Sequence, residues 1–237
     1  DMTKPPVSIE SLPEPVPRPV QWMRLYRNLA ALNRGDPAEV LDAAYSVGDA
    51  IGGMSDERQL RRILATQEGR SLLARGGSLT DALADHAALA RLPEGSLGRA
   101  FLVFCQRHSL NSRELVDHQH AMSRDYQRLD AVRQWFNDRL VVMHDLWHVL
   151  AGYDATTAGE SALMCFQLSH RFNDRALPIF VAMSVATGRI SGRNAREAFQ
   201  RGRRASFMVP APFEDLLAVS LEDARERLGS PHILIDG

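Results

Sequence analysis

The chain has 237 residues, 45% of them hydrophobic and 24% charged, and its 28 Lys and Arg nearly balance its 29 Asp and Glu to leave a net charge of −1. That is apolar mass enough for a sizeable core, and the even balance excludes a whole-molecule electrostatic pull toward nucleic acid. The two cysteines, Cys105 and Cys165, sit in apolar runs without C-x-x-C spacing, which excludes a disulfide framework and reads as reduced core thiols of a cytoplasmic-type compartment.

Six of the twelve prolines (Pro5, Pro6, Pro13, Pro15, Pro17 and Pro19) fall in residues 1–20, a stretch with little to bury that reads as an extended or disordered arm. From Gln21 the pattern turns helical. Trp22, Leu25, Tyr26 and Leu29 recur at three- and four-residue steps and are expected on one buried face. Pro37, with Asp36 as cap, opens a second helix whose apolar face is Val40, Ala44, Val47 and Ile51 and which stops at Gly52-Gly53. Ser55 or Asp56 should cap a helix running through Leu64, and Thr80 a short one through Leu89. The turn Leu92-Pro93-Glu94-Gly95-Ser96 precedes a helix from Leu97 to His108, and Asn111 or Ser112 starts another. A long helix is expected from Ala131 to Leu150. Further helical pattern covers Glu160 to Gly188, broken near Asn173 to Pro178, then Arg193 to Arg204 and Phe213 to Leu228. Strand alternation, repeats of fixed period and apolar runs of ~18 residues that would span a bilayer are not found. The N-terminus lacks the basic-then-apolar order of a secretory signal. The expectation is one all-α, multi-helix domain over 21–230, with 231–237 as a tail.

The chemistry concentrates in Val141-Val142-Met143-His144-Asp145-Leu146-Trp147-His148-Val149-Leu150-Ala151-Gly152. His144 and His148 are four apart, so on a helix both imidazoles point the same way and can chelate a divalent ion. Asp145 stands where the H-E-x-x-H pattern has glutamate. It can bind the ion, orient an imidazole or act as a base. The helix should end at Gly152, and a short link makes the next helix an antiparallel neighbour, returning Glu160 toward the histidines as a third ligand. Thr157-x-x-Glu160 also fits a capping box, in which the glutamate merely closes a helix end. His118 and His120 lie two apart and should face different ways on a solvated surface. His170 reads as a surface or cap residue, with the lining of a cavity as the alternative. Arg196, Arg201, Arg203 and Arg204 read as a solvated face or an anionic-lipid contact, and Phe207 to Phe213 as a membrane-touching loop or a strap over the core.

His144-Asp145-x-x-His148 followed after eleven residues by Glu160 resembles the metal motif of the coenzyme Q biosynthesis protein four family. Leu92 to Phe101, His144 to Tyr153 and the closing Pro212-Phe213-Glu214-Asp215-Leu216-Leu217 are similar as well, and the resemblance runs from about Trp22 to Leu228. It implies an all-helical fold with a metal site between antiparallel helices and an apolar prenyl-binding cavity. By position it makes His144, Asp145, His148 and Glu160 the metal ligands, Asp145 being also the catalytic group. The implied activity is that of a lyase, a metal-dependent oxidative decarboxylase acting at ring carbon one of a polyprenylated hydroxybenzoate-type quinone precursor. The implied metal is zinc, which has no redox chemistry, so iron, manganese or cobalt suits an oxidative step better. Implied partners are the other ubiquinone-biosynthesis enzymes and a membrane surface, with no nucleic acid and a homodimer left open. With no mitochondrial targeting segment recognisable, a bacterial member is implied, cytoplasmic and peripheral to the inner (cytoplasmic) membrane.

The helix after Glu160 is more apolar than one core-facing stripe requires. Met164, Leu168, Ala182 and Met183, with Val141 on the histidine line, are expected to line the substrate cavity, although core packing is the simpler explanation. Two other functions fit the same residues: a prenyl-lipid-binding scaffold that organises quinone-biosynthesis enzymes, and a metal phosphohydrolase, demoted by the lack of a second acidic-histidine cluster.

Overall fold

Local signals set most helix boundaries. In the computed structural model, which describes residues 12–34, 37–52 and 54–230, there is no strand, and one isolated bridge joins Ser96 to Ser220. The helices among the described residues are α1 (Trp22–Arg34), α2 (Pro37–Gly52), α3 (Ser55–Leu64), α4 (Gln67–Arg75), α5 (Leu79–Ala84), α6 (His86–Ala90), α7 (Leu97–His108), α8 (Ser112–Met122), α9 (Ala131–Ala151), α10 (Thr157–Ser169), α11 (Ala176–Ala186), α12 (Gly192–Arg204), α13 (Phe213–Leu216) and α14 (Leu221–Arg227). Short polar side chains start many of them. Thr66, Ser78, Asp85, Ser96, Asn111, Asp130, Thr156, Ser191 and Ser220 each accept a hydrogen bond from a free N–H of the first turn.

Some expectations change. α4 was not foreseen, although Thr66 caps it. The segment expected behind Thr80 is two helices, started by Ser78 and Asp85, with Thr80 buried inside the first. α3 begins at Ser55 with no side-chain cap. Asp36, Gly53, residues 1–11 and the tail 231–237 lie outside the described residues, as does the side chain of Val40. Residues 12–20, without regular structure, pass over α3: Arg18 pairs with Asp56 at 3.4 Å, and Leu12 packs on the main core.

α9 is the axis of the molecule. It packs against α3, α5, α7, α8, α10 and α14; Phe136, Val142, Met143, Leu146, Trp147 and Leu150 are buried on one side of it, and Arg133, Asn137, Asp145 and His148 are buried on the other. A helix enclosed on every side belongs inside a bundle. Its polar positions are fixed to neighbours. Arg133 donates to Glu57 of α3 at 2.7 Å and to Asp130 at 2.5 Å. Burial would raise the Glu57 carboxyl, but hydrogen bonds from Arg133 and Arg61 hold it below the usual range. Arg139, almost fully buried, donates to Glu214 at 2.6 and 3.2 Å and to the Ala211 carbonyl at 2.7 Å. That grip pins residues 207–213 as a strap: Met208, Val209, Ala211 and Phe213 are buried in the main core.

A second, smaller core joins α1, α2 and α11 through Leu25, Leu32, Ala43, Val47, Ala50, Ile51 and Ala176. Here α1 departs from expectation. Leu25 and Leu32 face inward, while Trp22 and Tyr26 lie outside, 72% and 74% exposed. The layer is too thin to cover both flanks of the helix, and the leucines take the inner one. Both cysteines are free and buried, with burial pushing Cys165 up to about 11 and, with help from the Asp145 charge, Cys105 up to about 12.

Because Arg139 is an enclosed cation with one ionic partner, Arg139→Ala is expected to reduce unfolding free energy by roughly 3 kcal/mol. Pairing Arg139→Met with Glu214→Gln should recover most of that loss in urea denaturation. A double variant no better than Arg139→Ala would show that the ion pair is not what Arg139 contributes.

Candidate metal centre

The site is built by the way α9 stops and α10 starts. Gly152 terminates α9 in the left-handed region, φ 73°, and its N–H and that of Tyr153 both reach the His148 carbonyl, at 2.9 and 3.1 Å. Thr156 then caps α10, accepting from Gly159 N–H at 3.1 Å. The link presses on that first turn so closely that a Cβ on Gly159 would lie 2.1 Å from the Asp154 carbonyl oxygen. Glycine is what lets the link pass there, and the next residue, Glu160, is thereby set against α9.

Glu160 spans both histidines. Its Oε2 is 3.2 Å from His144 Nε2 and its Oε1 is 3.1 Å from His148 Nε2. Ligand atoms of His144, His148 and Glu160 lie within 4.8 Å of one another, the one such metal-sized group found among the described residues. The capping-box alternative is overturned, since the cap is Thr156 and Glu160 falls one residue beyond the position such a box uses.

Proton positions follow from the partners. His148 Nδ1 lies 3.1 Å from the Tyr153 carbonyl, which can only accept, so Nδ1 carries the hydrogen. In the neutral ring Nε2 is then a lone pair, buried, without a hydrogen bond, facing a carboxylate oxygen. Two acceptors at that distance call for a proton or a cation between them. The donor set, two imidazoles and a carboxylate, is one that divalent zinc, iron, manganese and cobalt all accept. His144 is held from behind by the Gln167 amide, 3.2 Å from Nδ1. Burial pushes the His144 imidazole down, but the hydrogen bond and charge of Glu160, with the Asp145 charge, hold it up at about 9. Burial likewise works to raise Glu160, and the two histidines overcome it and hold the carboxylate well below its usual range. Although enclosed by protein, the His144 and Glu160 side chains keep 31% and 39% of their surface accessible, so the group lies on the floor of a recess.

Asp145 does not join this group. Adjacent helical residues diverge by about 100°, which turns its carboxylate away from the histidine line. It is buried, and its Oδ2 has no hydrogen bond. Burial raises its pKa, while His144 and His148 pull it down. Tyr45 of α2 stands on this side too. Burial first, then the charges of Asp145 and Glu160, push its phenol well above the ordinary value. Sequence reading missed Tyr45 and Gln167. Gln167 was findable, seven residues after Glu160 and so on the same face of α10, whereas nothing in the chain links Tyr45 to a motif a hundred residues away.

The five expected substrate contacts come from three helices, α9, α10 and α11. Val141, Met164 and Leu168 are half-buried, Met183 is half-buried against the second core, and Ala182 is exposed. A cleft of about 240 Å³ opens instead between α7 and the end of α9, lined by Phe104, Arg107, His108, His148 and Tyr153 among others, with Phe104 stacked 5.3 Å from the His148 ring. His118 and His120 do face apart, but neither is merely solvated: they reach Asp42 at 2.8 Å and Asp138 at 2.7 Å. His170 occupies the α10 cap position with its ring buried against Trp147 and Phe166, and burial lowers it to about 4. Arg201 donates to the Ala151 carbonyl at 2.8 Å and covers the Tyr153 ring, while Arg196, Arg203 and Arg204 are exposed.

Comparison with known proteins converges on one family. The model of the coenzyme Q (ubiquinone) biosynthesis protein Coq4 family matches residues 27–232. The mitochondrial ubiquinone biosynthesis protein COQ4 of Coprinopsis cinerea is 25% identical over 157 residues, 64% of this chain and 50% of that protein. The mitochondrial COQ4 homolog 2 of Culex quinquefasciatus is 27% identical over 122 residues, 52% of each chain. The chain thus spans about half the length of these curated relatives. A crystal structure of a protein assigned to ubiquinone biosynthesis from Nostoc punctiforme superposes with a TM-score of 0.60 at 18% identity, covering 89% of this chain and 97% of that one, which speaks for a shared fold.

Gly159→Ala is expected to push the link and the first turn of α10 apart and draw Glu160 off the histidines. The His144 pKa should then fall from about 9 toward the ordinary value of about 6.5, read from its ring proton in an NMR titration. An unshifted titration would show that the close approach at Gly159 does not position Glu160.

Proposed function

The chain belongs to the Coq4 family of coenzyme Q (ubiquinone) biosynthesis proteins, and from that premise we propose that it binds a polyprenylated hydroxybenzoate-type precursor and oxidatively decarboxylates it at ring carbon one with a divalent metal held by His144, His148 and Glu160. The observation that carries this reading is His148 Nε2 facing the Glu160 carboxylate at 3.1 Å, with His144 beside them. The conversion breaks the bond between ring and carboxyl carbon, forms a ring carbon–oxygen bond, and removes two electrons from the substrate, so an oxidant of the dioxygen class is its co-reactant.

Each residue has a task. A bound ion supplies Lewis acidity toward a substrate carboxylate or phenolate and, if iron, manganese or cobalt, a redox couple that zinc lacks. Tyr153 and Gln167 hold the two imidazoles in fixed orientations through their second nitrogens. Asp145, with an unpaired buried oxygen beside the cluster, serves as the base that takes a proton from the substrate; a small rotation also offers it as a fourth ligand. The recess over His144 and Glu160 admits the ring, and the half-buried Val141, Met164, Leu168 and Met183 offer apolar contacts to the tail. No helix among the described residues is long and apolar enough to cross a membrane. We place the protein at the surface of the cytoplasmic membrane, where a prenylated substrate partitions and the other enzymes of the pathway meet it.

Anaerobically purified protein is expected to hold about one equivalent of redox-active metal, and His144→Ala to lose it together with turnover. Retention of quinone production by His144→Ala in a deficient strain would favour the scaffold reading instead. Uptake must also displace the His144 proton. Below about 9 the apparent metal affinity should rise roughly tenfold per pH unit and level off above. Calorimetric titration across pH measures this, and a flat profile would place the ion elsewhere.

A further inference from the structure

α11 is an oddity for a helix at the surface. Its eleven residues include no charged side chain, and only Ala176, Leu177 and Ser184 are buried. Pro178, Ala182, Val185 and Ala186 form an exposed stripe at helical spacing, with Val185 40% exposed. α1 is its neighbour in the second core and repeats the feature: Leu25 and Leu32 point in, while Trp22, Met23 and Tyr26 are 72%, 65% and 74% exposed. The two helices are tied at one end by Arg189, which donates to the Leu32 carbonyl at 2.8 Å. Scattered apolar residues on a surface need no explanation, but two helices that pack on α2 in one small core and both bare apolar side chains mark a contact.

Charge indicates the occupant. α1 contains no acidic residue, and Arg27 shares the exposed face of Met23 and Tyr26. Arg171 and Arg175, both exposed, precede α11. Aromatic and aliphatic side chains fringed by arginine, with the intervening Asp174 carboxylate taken up by Arg58, match the boundary between acyl chains and anionic headgroups, where an indole or phenol sits at headgroup level.

We propose that the exposed faces of α1 and α11 are the surface by which this protein lies on an anionic lipid bilayer. The assignment rests on the reading of a prenylated substrate above and deepens it. α11 packs on α10, which carries Glu160, so a tail leaving the bilayer beneath these helices needs to pass only one helix layer to reach the recess.

The test is flotation of the full chain with phosphatidylcholine vesicles, with and without phosphatidylglycerol. Wild-type protein should float with the anionic vesicles and detach as salt rises. Trp22→Ser with Tyr26→Ser should weaken binding roughly tenfold or more, and Arg27→Gln about fivefold on anionic vesicles alone. All these side chains are exposed, so an unchanged melting temperature should accompany the loss. Wild-type protein that stays with the bulk solvent, variants that bind as well as wild type, or a dimer that Val185→Glu dissociates while vesicles are ignored would each overturn the proposal. Metal content separates this from the reading of the site. A protein that ignores vesicles but keeps its His144-dependent metal loses only the docking face, whereas one that floats normally without metal loses only the metal centre.

Discussion

His148 Nε2 and Glu160 Oε1 stand 3.1 Å apart because backbone groups hold both of them in place. The Tyr153 carbonyl fixes the tautomer from one side, and the close passage of Asp154 over Gly159 fixes the start of α10 from the other. Neither constraint yields cheaply. Turning the imidazole gives up a buried hydrogen bond, and moving Glu160 means lifting a capped helix end. A confronted pair of this kind is stable once positive charge comes between, which a proton supplies in part and a divalent ion supplies more fully.

The rest of the fold keeps the end of α9 still. A helix ends with carbonyls that lack intrahelical donors, and here arginines provide them: Arg201 reaches Ala151, and Arg225 reaches Leu150 and Val149 at 2.9 and 2.8 Å. Arg225 is buried without a carboxylate, and burial, aided by the nearby Arg201 charge, lowers its pKa. The negative end of the α9 dipole is its counter-charge. At the other end, Arg133 and Arg139 tie α9 to α3 and to the strap. α9 is thus clamped along its length by four guanidiniums, while His144 stays open to the recess and His148 is enclosed behind it. The contrast with α1, α2 and α11 is plain: that layer has a thin core of its own and keeps much apolar surface outside.

The helical class and the long helix were legible because α9 carries both a capping aspartate and a terminating glycine, strong local signals at either end. The histidine pair was legible from its spacing alone. Glu160 was readable as a ligand only by anticipating a tight return, and its sequence could equally be a cap, so the spatial fact that decided it lay in Gly159. The family pattern groups Asp145 with the ligands; in the structure it lies beside the group of His144, His148 and Glu160, buried and with one oxygen unpaired. Trp22 and Tyr26 illustrate another limit. Periodicity reveals that apolar residues share a flank, but a thin neighbouring layer decides which flank is covered. Tyr45 was beyond reach, for it comes to the site through tertiary packing of α2.

The account stands on the claim that His144, His148 and Glu160 are a metal centre. Anomalous diffraction from crystals grown with iron, manganese or cobalt, recorded at the metal edge, tests it most directly. A single peak between the two Nε2 atoms and the Glu160 carboxylate is the predicted result. A peak that avoids these three side chains, or their unbridged contact in crystals that bind metal elsewhere, would contradict it.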